Sequence, residues 1–312
     1  MSDGRGHDRV VVFGGTGFLG RWIAEGLAAE GRDVLVVARN APRRLAPGCR
    51  FLAIDVAGVP TGELAAVLAA ERPGVVVNAT GGKWGLTGRD LEASCAGATR
   101  HILAALAGTR LVPRLVHLGS VLESRPANTY NRSKLAATLA VRSAEEAGTV
   151  DALVLRIANV TGPGTPAASL LGLVADRLAA AAGRGEAATI ELTALRDHRD
   201  YVDVRDVADA VCSATRLTGR HAPISIGSGE AVPVRTLVDL FIKASGVPAT
   251  VVELPAPDPP SGTDDWTRVD PRRARDLLGW TPRRTLHDSV HALWREVLDR
   301  VPDRREPVQG TR

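Results

Sequence analysis

Short apolar runs alternate with helix-like segments along the first half of the chain. Six runs have the length and apolar content of strands, and they cover 10–14, 34–38, 51–54, 75–78, 115–118 and 152–157. The segments between them are typical of helices, and they cover 22–30, 63–71, 91–107 and 133–147. Strands that alternate with helices in this way are typical of parallel sheets with crossover helices. The pattern predicts an α/β fold built on a Rossmann-type, doubly wound parallel sheet.

The pattern becomes less regular after about residue 162, where Gly and Pro cluster at 161–166 and again at 255–262. We interpret residues 8–162 as the sheet domain, to which later segments at about 195–228 return. Residues 163–302 are then mainly a smaller C-terminal lobe, and a substrate would lie between the two parts. The tail at 303–312 is charged and lacks apolar periodicity, so it is expected to be disordered.

Composition limits the classes of protein that fit. The 312 residues are 45% hydrophobic, which is enough for a large core, and no run approaches the roughly 20 apolar residues of a membrane span. Residues 1–8 are polar, so no secretory signal is expected. Cys49, Cys95 and Cys212 are odd in number and widely spaced, which predicts neither disulfides nor a metal site. These features favour a soluble, cytoplasmic protein.

The charge balance points to a small anionic ligand. The net charge is +4 and the pI is about 9.3, but the arginines are spread along the chain instead of forming one basic stripe. We therefore expect no nucleic-acid partner and no membrane partner. A mild positive balance suits a phosphate-bearing cofactor or substrate.

A glycine-rich turn, GGTGFLG at 14–20, joins the first predicted strand to the first predicted helix. Three glycines near a strand also occur in ordinary tight turns. Here Gly14, Gly17 and Gly20 follow an apolar strand directly and open a helix, which is the placement that close approach of a pyrophosphate requires. The turn therefore predicts a dinucleotide site.

Basic residues follow the second strand, where NAD-binding chains usually carry a carboxylate for the adenosine ribose. Arg39, Asn40, Arg43 and Arg44 stand there, and guanidinium groups suit a 2′-phosphate. The alternative is a solvated basic loop. Asp33 precedes this strand instead of ending it, so the pattern favours NADP(H). Asp55, after the third strand, is interpreted either as a contact to the adenine amino group or as a turn cap.

Three polar residues near the fifth strand form a candidate catalytic set. Ser120 ends the strand, and Tyr130 and Lys134 stand four residues apart, which places them on one face of a helix. The Lys134 ammonium is predicted to lower the pKa of the Tyr130 phenol, so that Tyr130 exchanges a proton with an alcohol or ketone while Ser120 orients it. His117 alternates away from Ser120 and is predicted to be a packed core histidine.

With these motifs the chain resembles the extended short-chain dehydrogenase/reductases, in their NAD(P)-dependent epimerase/dehydratase branch. The resemblance covers nearly the whole chain. Its further blocks are LRIANVTGPG at 155–164, RDYVDVRDVA at 199–208, IGSG at 226–229 and LGWTP at 278–282.

The resemblance implies a Rossmann-type NADP-binding domain and a small C-terminal lobe that binds nucleotide-activated sugars. It implies that Asn159 and Arg199 hold the diphosphate of the substrate, together with Ser120 at the reacting group. The complete set of expected cofactor contacts is Gly14, Thr16, Gly17, Phe18, Leu19, Arg39, Asn40, Arg44, Asp55, Val56, Ala79, Tyr130, Lys134 and Ile157.

The chain departs from the family pattern at three points. Sugar-nucleotide members often carry another arginine where this chain has Asp265 and Trp266, and Arg268 is out of register with it. The interval between Ser120 and Tyr130 is short, which removes a loop at the substrate mouth. Val121 and Leu122 follow Ser120 where dehydratases carry acidic residues, so dehydration is not expected.

The leading hypothesis is an NADPH-dependent reductase of an NDP-4-keto-6-deoxyhexose, in its dTDP form, because the chain resembles 4-ketoreductases of antibiotic deoxysugar pathways. Three alternatives remain open. They are an NDP-sugar epimerase that recycles NAD, a reductase of a non-sugar ketone, and a non-catalytic dinucleotide-binding protein. The family also implies a homodimer packed through helices 91–107 and 133–147.

Overall fold

The apolar runs form strands that carry the fold. The structure is a computed structural model, and it describes residues 8–82, 85–193, 195–255 and 268–300. Its strands are β1 (Arg9–Phe13), β2 (Asp33–Ala38), β3 (Cys49–Ala53), β4 (Val75–Asn78), β5 (Arg114–Ser120), β6 (Asp151–Ile157), β7 (Asn159–Thr161), β8 (Ala188–Thr193), β9 (His198–Asp203), β10 (Ile224–Ile226), β11 (Ala231–Pro233) and β12 (Ala249–Leu254).

Helices follow most of the strands. They are α1 (Phe18–Ala29), α2 (Thr61–Glu71), α3 (Gly88–Glu92), α4 (Ala98–Ala107), α5 (Thr129–Glu146), α6 (Leu170–Arg184), α7 (Val204–Ala214), α8 (Val234–Ser245), α9 (Arg272–Leu278) and α10 (Leu286–Arg300). In the part of the chain that the structure covers, no helix is both long enough and apolar enough to cross a bilayer.

Seven strands make one parallel sheet in the order β10-β6-β5-β4-β1-β2-β3. The order reverses between β1 and β4, so their carboxyl ends open a crevice where α/β proteins bind ligands. All six predicted strands lie in this sheet, which confirms the predicted α/β, Rossmann-type fold.

Both faces of the sheet are covered, as parallel strands require. Alternate residues of β1 point to opposite faces: Val10 and Val12 pack with α1 and α7, whereas Val11 and Phe13 pack with α2 and α4. Strands buried on both faces have no polar side, which is why they are continuous apolar runs in the sequence.

A third apolar core lies in the later half of the chain. It is built mainly by α6, α8, α10 and β8, and Phe241 packs edge-to-face on Trp294 with ring centroids 6.1 Å apart. β12 pairs in parallel with β8. β9 lies between β7 and β11 in a three-stranded sheet.

One predicted helix is interrupted. The segment predicted as a single helix over 91–107 consists of α3, a π-helical turn at Ala93–Gly97, and α4. The Ala96 N–H donates to the Ser133 hydroxyl of α5 at 3.3 Å, a contact that accompanies the widened turn. The turn buries Cys95 and Ala96 against the site described below.

Helix α5 begins four residues earlier than predicted. Its N-cap is Asn128, whose side-chain oxygen accepts a hydrogen bond from the Asn131 N–H at 2.9 Å. Tyr130 therefore lies in the first turn of α5, one turn before Lys134. The predicted tail 303–312 and the Gly/Pro cluster at 255–262, apart from Pro255, lie outside the described residues.

Candidate active site

The glycine-rich turn brings the backbone close to the neighbouring strand. Gly14 has a φ of +72°, and a Cβ on it would lie 2.7 Å from the Ala79 carbonyl oxygen. A Cβ on Gly20 would collide with the Gly14 carbonyl oxygen, so α1 packs directly on the turn. Only glycine fits at these two positions.

Helix α1 begins at this turn with free backbone donors. Its N-cap is Gly17, and no side-chain hydrogen bond caps the helix within the described chain. The first-turn N–H groups and the positive end of the helix dipole therefore face the crevice. Their arrangement fits the pyrophosphate of a dinucleotide.

The residues expected at the adenosine end lie around the neighbouring strand ends. Arg39, Asn40 and Arg44 are exposed after β2. Arg44 lines a cleft of about 430 Å³ together with Thr16 of the glycine turn. No carboxylate stands directly after β2, since Ala38 is followed by Arg39.

Asp55 and Val56 follow β3. The Asp55 Oδ1 accepts a hydrogen bond from the Ala57 N–H at 3.2 Å, and its carbonyl oxygen accepts from the Gly58 and Val59 N–H groups. Asp55 therefore caps this turn, and its contact to the adenine amino group stays a prediction. Val56 is buried, 6% exposed, beneath the turn.

A second pocket, also of about 430 Å³, lies at the carboxyl ends of β1, β4, β5 and β6. Nine of the predicted site residues line this pocket: Gly17, Phe18, Leu19, Ala79, Ser120, Tyr130, Lys134, Ile157 and Asn159. Its outer wall comes from Thr165, Pro166 and α6, and from Tyr201 and Leu237. Hereafter this is the catalytic pocket.

Ser120 ends β5 and begins a 3₁₀ turn, Val121–Ser124. Its Oγ accepts a hydrogen bond from the Leu122 N–H at 3.2 Å. Because the oxygen accepts from the backbone, the hydroxyl proton is available to be donated to a ligand in the pocket. Ser120 is 6% exposed, so such a bond would be shielded from water.

Lys134 is 5% exposed and is held by backbone carbonyl groups. Its Nζ donates to the Leu118 oxygen at 2.9 Å and to the Thr80 oxygen at 3.4 Å. Gly81 has a φ of +111°, and a Cβ there would lie 2.9 Å from Nζ. The glycine therefore leaves the space that the ammonium occupies. Burial lowers the pKa of Lys134 from its usual value.

The predicted effect on Tyr130 is corrected by the structure. The sequence predicted that Lys134 would lower the pKa of the phenol. Burial instead raises this pKa, and the nearby Cys95 and Glu123 side chains add to the rise. In the protein without a ligand, Tyr130 is a protonated phenol and hence a proton donor.

His117 is confirmed as a packed histidine. It is 1% exposed, and neither ring nitrogen has a hydrogen-bond partner in the described chain. Burial, together with the nearby Lys134 charge, lowers its pKa to about 3. The imidazole is therefore neutral at physiological pH.

Two residues expected at the substrate diphosphate lie in different settings. Asn159 lines the catalytic pocket, and its Nδ2 donates to the backbone carbonyl oxygen of Asp200 at 3.3 Å. Arg199 does not line this pocket, and its Nη2 is paired with an Asp197 carboxylate oxygen at 2.7 Å.

Asp265 and Trp266 lie outside the described residues. Arg268 is exposed, and its Nε donates to the Gly229 oxygen at 2.9 Å.

Sequence reasoning missed two residues at the site. Tyr201 faces the catalytic pocket beside Asn159, its partner in the β7–β9 register, and burial raises its pKa to about 12. Glu123 lies under the pocket and forms a capping box with Ser120. The spacing Ser-x-x-Glu at 120–123 is typical of a capping box, and it could have identified Glu123 from the sequence. Tyr201 had no comparable signal.

The site unites a glycine turn for a pyrophosphate with a Ser, Tyr and Lys set at one pocket. This combination defines an NAD(P)-dependent oxidoreductase of the extended short-chain dehydrogenase/reductase type. The profile of the NAD dependent epimerase/dehydratase family matches residues 10–227. The chain belongs to this family.

The chain is similar to known enzymes in sequence and to a solved structure in fold. The chain is 44% identical over 301 residues to a dTDP-6-deoxy-L-talose 4-dehydrogenase (NAD(P)(+)) of Kitasatospora kifunensis, covering 92% of this chain and 94% of the relative. It is 30% identical over 224 residues to a UDP-glucose 4-epimerase of Azospirillum brasilense, covering 65% and 61%. The UDP-glucose 4-epimerase of Thermotoga maritima, solved with UDP-glucose, shares the fold at a TM-score of 0.81 and 20% identity, covering 93% of this chain and 99% of that one.

Proposed function

We propose that the chain is an NADPH-dependent reductase of an NDP-4-keto-6-deoxyhexose, in its dTDP form, and produces the 4-hydroxy sugar. The observation that carries this proposal is the catalytic pocket, which presents Ser120, Tyr130 and Lys134 beside apolar side chains and the glycine turn. The relative that is 44% identical over most of both chains is named for the 4-position of a dTDP-6-deoxy sugar.

When bound, NADPH supplies the hydride that reduces the C4 carbonyl. The Ser120 hydroxyl donates a hydrogen bond to the carbonyl oxygen and stabilises its developing negative charge. The Tyr130 phenol gives that oxygen a proton, which completes the alcohol. The Lys134 ammonium compensates the phenolate that remains and binds the ribose beside it.

The direction of reaction is part of the proposal. A 4-dehydrogenase and a 4-ketoreductase catalyse one reaction in opposite directions, because hydride and proton transfer are both reversible. Reduction needs a protonated Tyr130, and burial favours that form by raising the pKa of the phenol. Oxidation of the alcohol needs the phenolate.

The preference for NADPH is proposed from the residues after β2. Arg39 and Arg44 are exposed there, and Arg44 shares a cleft with Thr16 of the glycine turn. Their charges suit a 2′-phosphate. An arginine directly after β2 removes the carboxylate that would favour the unphosphorylated ribose of NAD.

The remaining roles follow from this proposal. Residues 8–162, joined by about 195–228, form the NADP-binding part, since β10 pairs with β6 and α7 packs on α1. Residues 163–302 form the substrate lobe. Asn159 lies at the pocket to meet the diphosphate, whereas Arg199 must share or release Asp197 in order to bind it.

The proposal is tested by NADPH oxidation with dTDP-4-keto-6-deoxyglucose, measured as loss of nicotinamide absorbance. We expect turnover that falls by about 10²- to 10⁴-fold in Tyr130→Phe, while NADPH binding is unchanged. Folded protein that binds NADPH and reduces another ketone, but no keto sugar, would instead favour a reductase of a non-sugar ketone. Folded protein that binds NADPH but reduces neither the keto sugar nor any other ketone would be a non-catalytic dinucleotide binder.

A second candidate function is an NDP-sugar epimerase, which is favoured by a UDP-glucose 4-epimerase relative at 30% identity. Such an enzyme oxidises and re-reduces its substrate on one retained cofactor. Release of stoichiometric NAD from the denatured, purified protein would support this function. Cofactor-free protein that consumes NADPH stoichiometrically would exclude it.

A further inference from the structure

A carboxylate lies directly beneath the floor of the catalytic pocket. The Glu123 side chain is 0% exposed, and its Oε1 accepts a hydrogen bond from the Ser120 backbone N–H at 2.6 Å. Its Oε2 lies 3.3 Å from the Arg156 Nε of β6. Both oxygens accept from donors, which favours the carboxylate. Burial acts in the opposite direction and is the larger effect, so the pKa of Glu123 is raised from its usual value.

Gly119 provides the space that the Glu123 carboxylate occupies. A Cβ on Gly119 would collide with Glu123 Oε1, so β5 carries a glycine immediately before Ser120. The glycine lets the carboxylate approach the strand from below. Glu123, Gly119 and the Ser120 backbone thus form one packed unit at the end of β5.

We propose that Glu123 is a positioning residue for the catalytic set, which fixes Ser120 through its backbone and places a buried negative charge beneath Tyr130 and Lys134. This role rests on the proposed function of those three residues. Glu123 is not among the residues that line the pocket. It acts through Ser120 by a hydrogen bond, and through Tyr130 and Lys134 by its charge.

The charges around Glu123 come from each neighbouring element. Arg156 of β6 forms its ion pair, and α5 contributes Lys134 and Tyr130. Cys95 of the π-helical turn acts on the same lysine and phenol, and His117 of β5 is neutral. The Glu123 charge raises the pKa values of both Tyr130 and Lys134, so it favours the protonated phenol and the ammonium. These are the forms that reduction requires.

Two substitutions separate the two effects. Glu123→Gln keeps the volume and an oxygen that accepts from the Ser120 N–H, but removes the charge. Glu123→Ala removes both and leaves a buried N–H without a partner. Glu146→Gln, at the exposed end of α5, is the matched control for loss of one carboxylate.

The first readout does not depend on catalysis. The chain has two tyrosines, Tyr130 and Tyr201, so Tyr201→Phe leaves Tyr130 as its only phenol. In that background, tyrosinate absorbance followed during an alkaline titration reports on Tyr130 alone. Adding Glu123→Gln is expected to move the appearance of tyrosinate to lower pH, and adding Glu146→Gln is expected to leave it in place. An unmoved titration with Glu123→Gln would overturn the proposal, whatever substrate the enzyme uses.

The second readout uses turnover. Glu123→Ala is expected to lower kcat for NADPH oxidation by about tenfold or more while KM for NADPH changes little, because Ser120 loses its anchor. Glu123→Gln is expected to recover most of that kcat. A parent enzyme that reduces no keto sugar would contradict the proposed function alone, since the tyrosinate titration still decides the role of Glu123. Equal loss of kcat in the Gln and Ala variants would contradict the anchoring of Ser120.

Discussion

Burial decides the protonation of the groups at the catalytic pocket more strongly than their neighbours in sequence do. Lys134 stands one helical turn from Tyr130, yet the pKa of the phenol is raised and that of the lysine is lowered. Desolvation disfavours the charged form of each group. A sequence shows that two residues share a helix face, but it does not show how far water has been excluded from that face.

The raised pKa of Tyr130 predicts the pH dependence of the two reaction directions. Reduction needs the protonated phenol, which is fully present below its pKa and is lost only as pH rises through it. We therefore expect kcat for reduction, measured by NADPH oxidation, to stay level from neutral pH past the usual tyrosine value of about 10. Alcohol oxidation needs the phenolate and should rise with pH over the same range. A reduction rate that falls between pH 7 and 8 because Tyr130 ionises would contradict this expectation.

At the scale of elements, the basic segment after β2 predicts cofactor preference. Arg44→Ala and Arg39→Ala are each expected to raise KM for NADPH by about tenfold and to leave KM for NADH nearly unchanged, since each removes one contact to the 2′-phosphate. Steady-state kinetics with both cofactors measures this. Arg110→Ala is the matched control, because it removes an exposed arginine that precedes β5, at the opposite end of the strands from the segment after β2. An equal rise in KM for NADPH and for NADH would mean that these arginines do not contact the 2′-phosphate.

The strands and the glycine turn were predictable because each has a local cause. A strand buried on both faces must be apolar throughout, and the segment predicted at 75–78 is β4 with the same bounds. The glycines are required by a positive φ or by close backbone contact, which are properties of the turn itself. Short-range rules of this kind are visible in the sequence.

Other parts depend on contacts that are remote in the chain. The π-helical turn at Ala93–Gly97 accompanies a bond from the Ala96 N–H to Ser133, 37 residues away. Tyr201 reaches the catalytic pocket because β9 pairs with β7, and Arg199 turns instead to Asp197. The sequence placed these residues in motifs, but the partner of each side chain depends on how distant segments meet.

At the scale of the whole molecule, we propose a homodimer through the outer surfaces of α4 and α5. Leu139 of α5 is 55% exposed, and Ala104 of α4 is exposed as well. Leu139→Glu is expected to convert the dimer to a monomer in light scattering, because a charge would be buried without a partner. Leu173→Glu, on the exposed face of α6, is the control for loss of an exposed leucine. A parent protein that is monomeric at the same concentration would contradict the dimer.

The proposed function requires that the catalytic pocket direct a hydride to C4 of a keto sugar. It is tested most directly with NADPH that carries deuterium at the transferred position of the nicotinamide, followed by NMR of the sugar product. We expect one deuterium at C4, on one face only, with one NADPH consumed for each product formed. Deuterium at another carbon of the product, or a product without deuterium, would contradict it.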